Sequence, residues 1–104
     1  MESKVNSGIC VIFVPHTTAG ITINENADPD VVKDMLMEIS KIVTEDKEYR
    51  HFEGNSSAHI KASFMGSNQT VIIENGELKV GTWQGICFTE FDGPCTRKFF
   101  VKVI

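Results

Sequence analysis

Three histidines, His16, His51 and His59, are the residues of this chain best suited to chemistry, and each stands on or next to a segment typical of a loop. Neutral imidazole is the commonest metal ligand, and three imidazoles with one open position are a familiar catalytic zinc arrangement. An imidazole can equally serve as a general acid or base. No HxH or HExxH spacing is present, so the fold itself would have to bring the rings together. We therefore treat the three residues as candidate catalytic groups and candidate ligands of a divalent ion, Mg or Zn.

Hydroxyl groups surround the first histidine. Residues 9–14 form a β-branched and aromatic run typical of a buried strand, and Pro15 ends it because proline cannot donate to a ladder. Thr17 and Thr18 then follow His16 where the strand gives way to a loop, which is where scaffolds usually present reactive groups. One alternative is a simple turn in which these hydroxyls satisfy their own backbone.

The elements that must position these groups begin with helices. Asp28 followed by Pro29 is typical of a helix start, and apolar residues at spacings of three and four predict a helix over about 29–43 that packs on a sheet. A second, short helix is expected over about 57–65, with Ser56 or Ser57 as its N-cap and Gly66 as its stop. His59 and Ser63 are four residues apart in that helix and would share a face.

The remaining segments are typical of strands. Residues 21–24 alternate as a short strand, and residues 69–74 and 77–80 flank Asn75 and Gly76, the pair favoured by a two-residue type I′ hairpin. Residues 82–91 and 96–103 flank a turn at 92–95 and predict a second hairpin. We expect an α+β fold of mainly antiparallel β structure, with a sandwich-like sheet packed against one long and one short helix. Residues 1–104 would form a single domain.

Composition narrows the classes of function. The 104 residues carry a formal charge of −4 with a pI near 5.3 and no Lys/Arg-rich run, which argues against nucleic-acid binding. No segment approaches the roughly 18 apolar residues of a membrane span. Cys10, Cys87 and Cys95 form no CxxC pair and are odd in number, as expected for reduced thiols in a cytoplasmic protein.

Ordered blocks along nearly the whole chain resemble those of the YjbQ family. The blocks are PHTTAGITINEN (15–26), DPDV (28–31), YRH (49–51), AHIKAS (58–63), GTWQ (81–84) and EFDGP (90–94) with Arg97. The resemblance implies a compact, largely antiparallel β fold with a helix, a homotrimer, and a low-level thiamine-phosphate synthase activity often regarded as secondary. By the same resemblance we expect a further N-terminal segment of the family to be missing here, the loop around 52–57 to be shorter than usual, and Cys95 to stand where the family commonly has an arginine.

The resemblance also suggests roles for individual residues. The three histidines would line one pocket as acid/base groups, diphosphate contacts or metal ligands, while hydroxyls and the loop N–H groups leading to Gly20 would bind phosphate. Asn24 would orient a ligand or a histidine, and Asp28 is either a helix cap or a chemical group. Trp83 with Gln84 would stack on and hydrogen-bond a pyrimidine, or Trp83 would be a core residue. Arg97 would bind phosphate, or pair with Glu90 or Asp92. The candidate substrate and phosphate contacts are Thr17, Thr18, Asn24, Ser63, Trp83, Gln84 and Arg97.

Three functions follow as hypotheses. The first is thiamine-phosphate synthesis, in which an aminopyrimidine diphosphate is joined to a thiazole phosphate with release of diphosphate. The second is a metal-dependent hydrolase that uses the three histidines. The third is a non-catalytic trimer that binds a small phosphorylated or heteroaromatic ligand, without nucleic acid or membrane as a partner.

Overall fold

The computed structural model describes residues 5–46, 48–51 and 53–104. Within them two strands are followed by two helices and then by four strands, a segregated order typical of an α+β protein. The elements are β1 Ser7–Phe13, β2 Ala19–Glu25, α1 Pro29–Ile42, α2 Ser56–Met65, β3 Asn68–Glu74, β4 Glu77–Leu78, β5 Gln84–Glu90 and β6 Phe100–Val103.

The strands form two antiparallel sheets. One has four strands in the order β4-β3-β1-β6, and the other is a two-stranded ribbon of β2 and β5. The core lies between them, where Cys10 and Ile12 of β1 pack with Ile21 of β2 and Ile73 of β3. The predicted α+β class, mainly antiparallel with a long and a short helix, is confirmed.

One of the two predicted hairpins is present. Asn75 and Gly76 join β3 to β4 with φ values of 54° and 76°, as a type I′ turn requires. The second prediction is wrong, because β5 pairs with β2 whereas β6 pairs with β1 in the other sheet. The reason lies in Lys98, whose backbone is hydrogen-bonded to His16 just beyond β1. This contact places the chain next to the end of β1, where Phe100 pairs with Phe13.

The helix ends follow local capping chemistry. Asp28 caps α1 by accepting a hydrogen bond from the Asp30 N–H at 2.9 Å, which confirms the expected cap. At α2 the expected serine cap is wrong, since Ser56 and Ser57 lie inside the helix and Asn55 precedes it without a side-chain cap bond. Gly66 ends α2 with φ of 90°, as expected of a glycine in this position.

Helix α1 lies loosely over the outer face of the ribbon. Val32, Met35 and Leu36 line a cavity of about 180 Å³ that they share with Thr22 and Cys87. No residue of α1 is buried, although its apolar stripe had predicted close packing on a sheet. None of the described helices is long and apolar enough to cross a membrane.

Candidate active site at the ends of β1 and β2

A pocket of about 470 Å³ lies between the β1–β2 loop and the C-terminal half of α2. It brings together His16 and Thr17 from the loop with His59 and Ser63 from the helix, so four predicted site residues share one cavity. Its lining is His16, Thr17, Ala19, His59, Ala62, Ser63, Gly66 and Ser67. Imidazoles and hydroxyls around a floor of small residues can hold a polar ligand by hydrogen bonds.

The floor of this pocket is fixed by the turn that follows α2. The Ser67 carbonyl accepts a hydrogen bond from the Val14 N–H at 2.7 Å, and the Gly66 carbonyl accepts one from the Ile21 N–H at 3.0 Å. The turn therefore bridges the ends of β1 and β2. Gly20 permits this approach, because a Cβ at that position would lie 2.7 Å from the Gly66 carbonyl oxygen.

His16 is held through only one of its ring nitrogens. Its Nε2 lies 3.1 Å from both the backbone nitrogen and the carbonyl oxygen of Lys98. Nε2 can accept from the Lys98 N–H while Nδ1 carries the proton, or it can donate to the Lys98 carbonyl while Nδ1 carries a lone pair. Both tautomers keep a bond to Lys98. Nδ1 has no partner among the described residues and is the nitrogen available to a ligand.

The other two histidines contact each other. The ring centroids of His51 and His59 lie 5.2 Å apart at an interplanar angle of 79°, an edge-to-face arrangement. His51 is exposed and does not line the pocket itself. Among residues 5–46, 48–51 and 53–104, no group of three or more His, Cys, Asp and Glu side chains could hold a metal ion. The role of the three histidines as metal ligands remains a prediction.

Thr18 points away from the pocket and into an ion-pair network. Arg97 forms a bidentate pair with Glu90, through Nε to Oε1 at 2.6 Å and Nη2 to Oε2 at 2.7 Å. Nη2 also donates to the hydroxyl of Thr18 at 2.7 Å. These bonds from Arg97, opposed by partial burial, lower the pKa of Glu90 to about 2. The guanidinium is thus bonded to protein groups, which agrees with the hypothesis that Arg97 pairs with Glu90. Phosphate binding by Arg97 and Thr18 remains a prediction.

Ser63 is also partly occupied. Its hydroxyl donates to the His59 carbonyl at 3.1 Å, one turn back along α2. The oxygen can still accept a hydrogen bond, but donation to a phosphate requires the hydroxyl to rotate away from the helix. Thr17 is exposed beside it and makes no hydrogen bond with the described residues, so its hydroxyl is free to act in either direction.

Three predicted site residues lie at the opposite end of the ribbon. In the register of β2 and β5, Ala19 faces Glu90 next to the pocket, whereas Asn24 faces Gly85 at the far end. Five residue steps separate these two pairs, or about 17 Å at the usual rise of a strand. Asn24 accepts a hydrogen bond from its neighbouring backbone, and the side chain of Gln84 closes a turn by accepting from the Gly81 N–H at 2.7 Å.

Trp83 belongs to that far end. Its side chain is 67% exposed, so the alternative in which it is a core residue does not hold. Within one copy of the chain, Asn24, Trp83 and Gln84 do not reach the pocket that contains His16.

Sequence reasoning missed the contribution of Lys98 and of the turn at Gly66 and Ser67. Both act through backbone atoms, which leave no signature in side-chain type. Glu90 was considered only as a partner for Arg97, and its lowered pKa arises from a geometry that spacing does not reveal. The one sequence signal for this pair was that Glu90, at the end of a predicted strand, is followed by Arg97 after a short turn.

Comparison with known proteins gives one consistent result. Residues 1–104 match the family described as UPF0047 protein YjbQ-like. A UPF0047 protein of Methanocaldococcus jannaschii is 58% identical over 103 residues, which cover 99% of this chain and 75% of the relative. YugU of Bacillus subtilis, also a UPF0047 protein, is 56% identical over 99% of this chain and 79% of its own length.

Solved structures agree with these matches. An uncharacterised conserved protein of the YjbQ/UPF0047 family from Clostridium acetobutylicum superposes with a TM-score of 0.93 at 66% identity, covering 96% of this chain and 78% of that one. A conserved hypothetical protein from Thermus thermophilus superposes with a TM-score of 0.90 at 39% identity, covering 94% and 79%. By sequence and by fold, the chain belongs to the UPF0047 protein YjbQ-like family.

Proposed function

We propose that this protein binds a phosphorylated heteroaromatic substrate in the pocket of His16 and His59, and that it joins an aminopyrimidine diphosphate to a thiazole phosphate as a secondary activity. The observation that carries the proposal is the convergence of two imidazoles and two hydroxyls, from Thr17 and Ser63, on one cavity. Such groups can donate hydrogen bonds to the oxygens of a diphosphate.

The proposed reaction is a displacement at carbon. The thiazole nitrogen uses its lone pair to form a C–N bond to the methylene carbon of the pyrimidine, and the bond from that carbon to the diphosphate oxygen breaks. Diphosphate leaves with the electron pair, and the thiazole becomes a thiazolium cation. Such a step depends on stabilising the leaving group and sheltering a developing pyrimidine cation rather than on a protein nucleophile.

The pocket offers groups for the leaving-group side of this step. A protonated His16, held through Nε2 on the Lys98 carbonyl, would present Nδ1–H to a diphosphate oxygen and pass it a proton. His59 would supply a second donor, and Thr17 a hydroxyl. The described residues form no three-ligand metal group, so no step is assigned to a protein-bound ion.

The proposal includes a homotrimer in the cytoplasm. Assembly is supported by the many large apolar side chains that one copy leaves exposed, among them Leu36, Phe64 and Phe99. A reducing compartment suits three free cysteines, of which Cys95 is exposed.

Incubation of the purified protein with the pyrimidine diphosphate and the thiazole phosphate, followed by mass spectrometry, tests the activity. We expect product from the unmodified chain and from Thr70→Ala, an exposed position on β3, and at least a tenfold loss, about 1.4 kcal/mol in barrier height, in His16→Ala. Equal product from the unmodified chain and His16→Ala would reject the synthase.

Two further readouts separate the alternative functions. A rise in thermal midpoint with either substrate but without turnover would indicate a binding protein. Stoichiometric zinc that is lost in both His16→Ala and His59→Ala would favour the metal-dependent hydrolase instead.

A further inference from the structure

One copy of the chain exposes more surface than a protein of its size normally does. Its accessible surface is 7483 Å², whereas a compact monomer of 11.6 kDa exposes about 5,800 Å². Its radius of gyration is 15.7 Å, against about 13 Å for a compact domain of this length. The excess of about 1,600 Å², on a chain that spans 75% and 79% of the length of the two relatives named above, is of the size that two interfaces of standard size would cover, about 800 Å² each.

Two interfaces on each subunit are what a closed ring of identical subunits requires. In a closed ring every subunit contacts its neighbours through two different patches, so that one end of a copy meets another end of the next. The β2–β5 ribbon has two chemically different ends, one at the pocket of His16 and His59 and the other at Trp83. A head-to-tail contact would place these unlike ends together.

Trp83 is exposed, and it lies in a turn that is held by hydrogen bonds. The turn before β5 is closed twice, by the Gln84 N–H donating to the Gly81 carbonyl at 3.0 Å and by the Gly81 N–H donating to Oε1 of Gln84. The indole beyond this turn makes no hydrogen bond or ring contact with the described residues. Tryptophan in a rigid, exposed setting is among the residues most enriched in the energetic centres of interfaces.

The pocket lacks what Trp83 would supply. Small side chains from Ala19 and Ala62 line it together with His16 and His59, and none of the described residues that line it carries an aromatic carbocycle or an indole. An indole placed over this floor could donate its N–H to an imidazole or hydroxyl and would leave its face toward the cavity. The Trp83 of the same copy lies about 20 Å away along β5 and cannot do so.

We propose that Trp83 of one copy closes the histidine pocket of a second copy, so that the complete site exists only between two copies of this chain. The contact requires the assembly proposed above but not the proposed activity. Where a ligand is bound, the indole face gives the pocket its preference for a flat heteroaromatic ring, and the histidines and hydroxyls take its phosphate groups.

A disulfide between copies tests this contact. Trp83→Cys and Ser63→Cys are combined in one chain whose Cys87 and Cys95 are replaced by alanine, while the buried Cys10 stays. A disulfide requires Cβ atoms about 4 Å apart, which the two positions cannot reach within one copy. Mild oxidation is expected to link most chains into covalent dimers and larger species on a non-reducing gel. The control pairs Ser63→Cys with Asn75→Cys, at the exposed tip of the β3–β4 hairpin.

The outcomes separate this inference from the proposed function. Cross-linking in a protein that makes no thiamine phosphate supports the shared site and rejects the activity. An oligomer by light scattering that cross-links no more than the control pair overturns the inference, as does a chain that stays monomeric at every concentration. If the variant does not fold, acrylamide quenching of the unmodified chain decides, because Trp83 is its only tryptophan. Quenching that stays as strong in the concentrated protein as after dilution would overturn the contact.

Discussion

The Nη2 atom of Arg97 lies 2.7 Å from the hydroxyl oxygen of Thr18, across 79 residues of sequence. The same guanidinium is paired with Glu90 at the end of β5. Lys98, which follows Arg97 in the chain, contacts the ring of His16 through the Lys98 backbone. The segment before β6 is therefore hydrogen-bonded to the His-Thr-Thr loop at two positions, Thr18 and His16. We regard Arg97 as a residue that positions this loop.

Removal of the Thr18 hydroxyl should weaken this attachment of the loop. Thr18→Val keeps the shape of a side chain that is only 6% exposed but removes the acceptor of the Arg97 hydrogen bond. We expect a loss of about 1 to 2 kcal/mol in the free energy of unfolding, measured with urea. The neighbouring Thr17→Val, at an exposed position, should change it by less than about 0.5 kcal/mol. Equal effects at the two positions would contradict the network.

Glu90 should make stability depend on pH in the acid range. Its pKa is about 2 in the folded protein, below the ordinary 4.5, so the unfolded chain binds the proton more readily between these values. The stabilisation by Glu90 is therefore complete above about pH 4.5 and is lost as pH falls toward 2. We expect it to be about 2 kcal/mol at neutral pH, since the carboxylate is partly screened by solvent.

Glu90→Gln provides the comparison for that pH dependence. Urea unfolding at pH 7, 4 and 2.5 should show the variant less stable than the unmodified chain at pH 7, with the difference shrinking steadily at the lower values. Glu74→Gln is the matched control, because Glu74 pairs with Lys79 on the surface, where both side chains are more than half exposed. A difference for Glu90→Gln that is constant across these pH values would refute the assigned pKa.

The sequence predicted elements well where local chemistry decides them. The cap of α1 at Asp28, the glycine stop of α2 and the Asn75-Gly76 turn each depend on a few neighbouring residues, and all three are present. The second hairpin failed because the partner of β6 is set by a distant contact between Lys98 and His16. Convergence of His16 and His59 was expected from the resemblance, yet the split of the candidate site residues between two ends of the ribbon depends on the register of β2 with β5. No local pattern encodes that register.

Asp28, for which the sequence left open a helix cap or a chemical role, allows a direct test between the two. Asn is as good a cap as Asp, so Asp28→Asn should leave α1 intact, whereas Asp28→Ala should cost the helix about 1 kcal/mol. Because α1 has no buried residue, we expect the loss to appear as faster amide hydrogen exchange over Pro29–Ile42 rather than as a lower global stability. Loss of substrate turnover in Asp28→Asn with normal exchange would assign the carboxylate a chemical role instead.

Gly20 should be difficult to replace, because it packs against the turn that follows α2. A Cβ at this position would lie 2.7 Å from the Gly66 carbonyl oxygen and 3.0 Å from Cβ of Met65, and the carbonyl cannot move without breaking its hydrogen bond to the Ile21 N–H. We expect Gly20→Ala to lower the free energy of unfolding by about 2 to 3 kcal/mol, as overpacking of a close contact does. The control is Gly81→Ala, whose added Cβ would meet only the flexible side chain of Gln84 at 3.1 Å and should cost under about 1 kcal/mol. The two variants should also differ at the pocket, because separation of α2 from β2 moves His59 and Ser63 relative to His16. A Gly20→Ala protein as stable as Gly81→Ala would mean that the turn after α2 can shift freely, and the geometry of the pocket would then not depend on this contact.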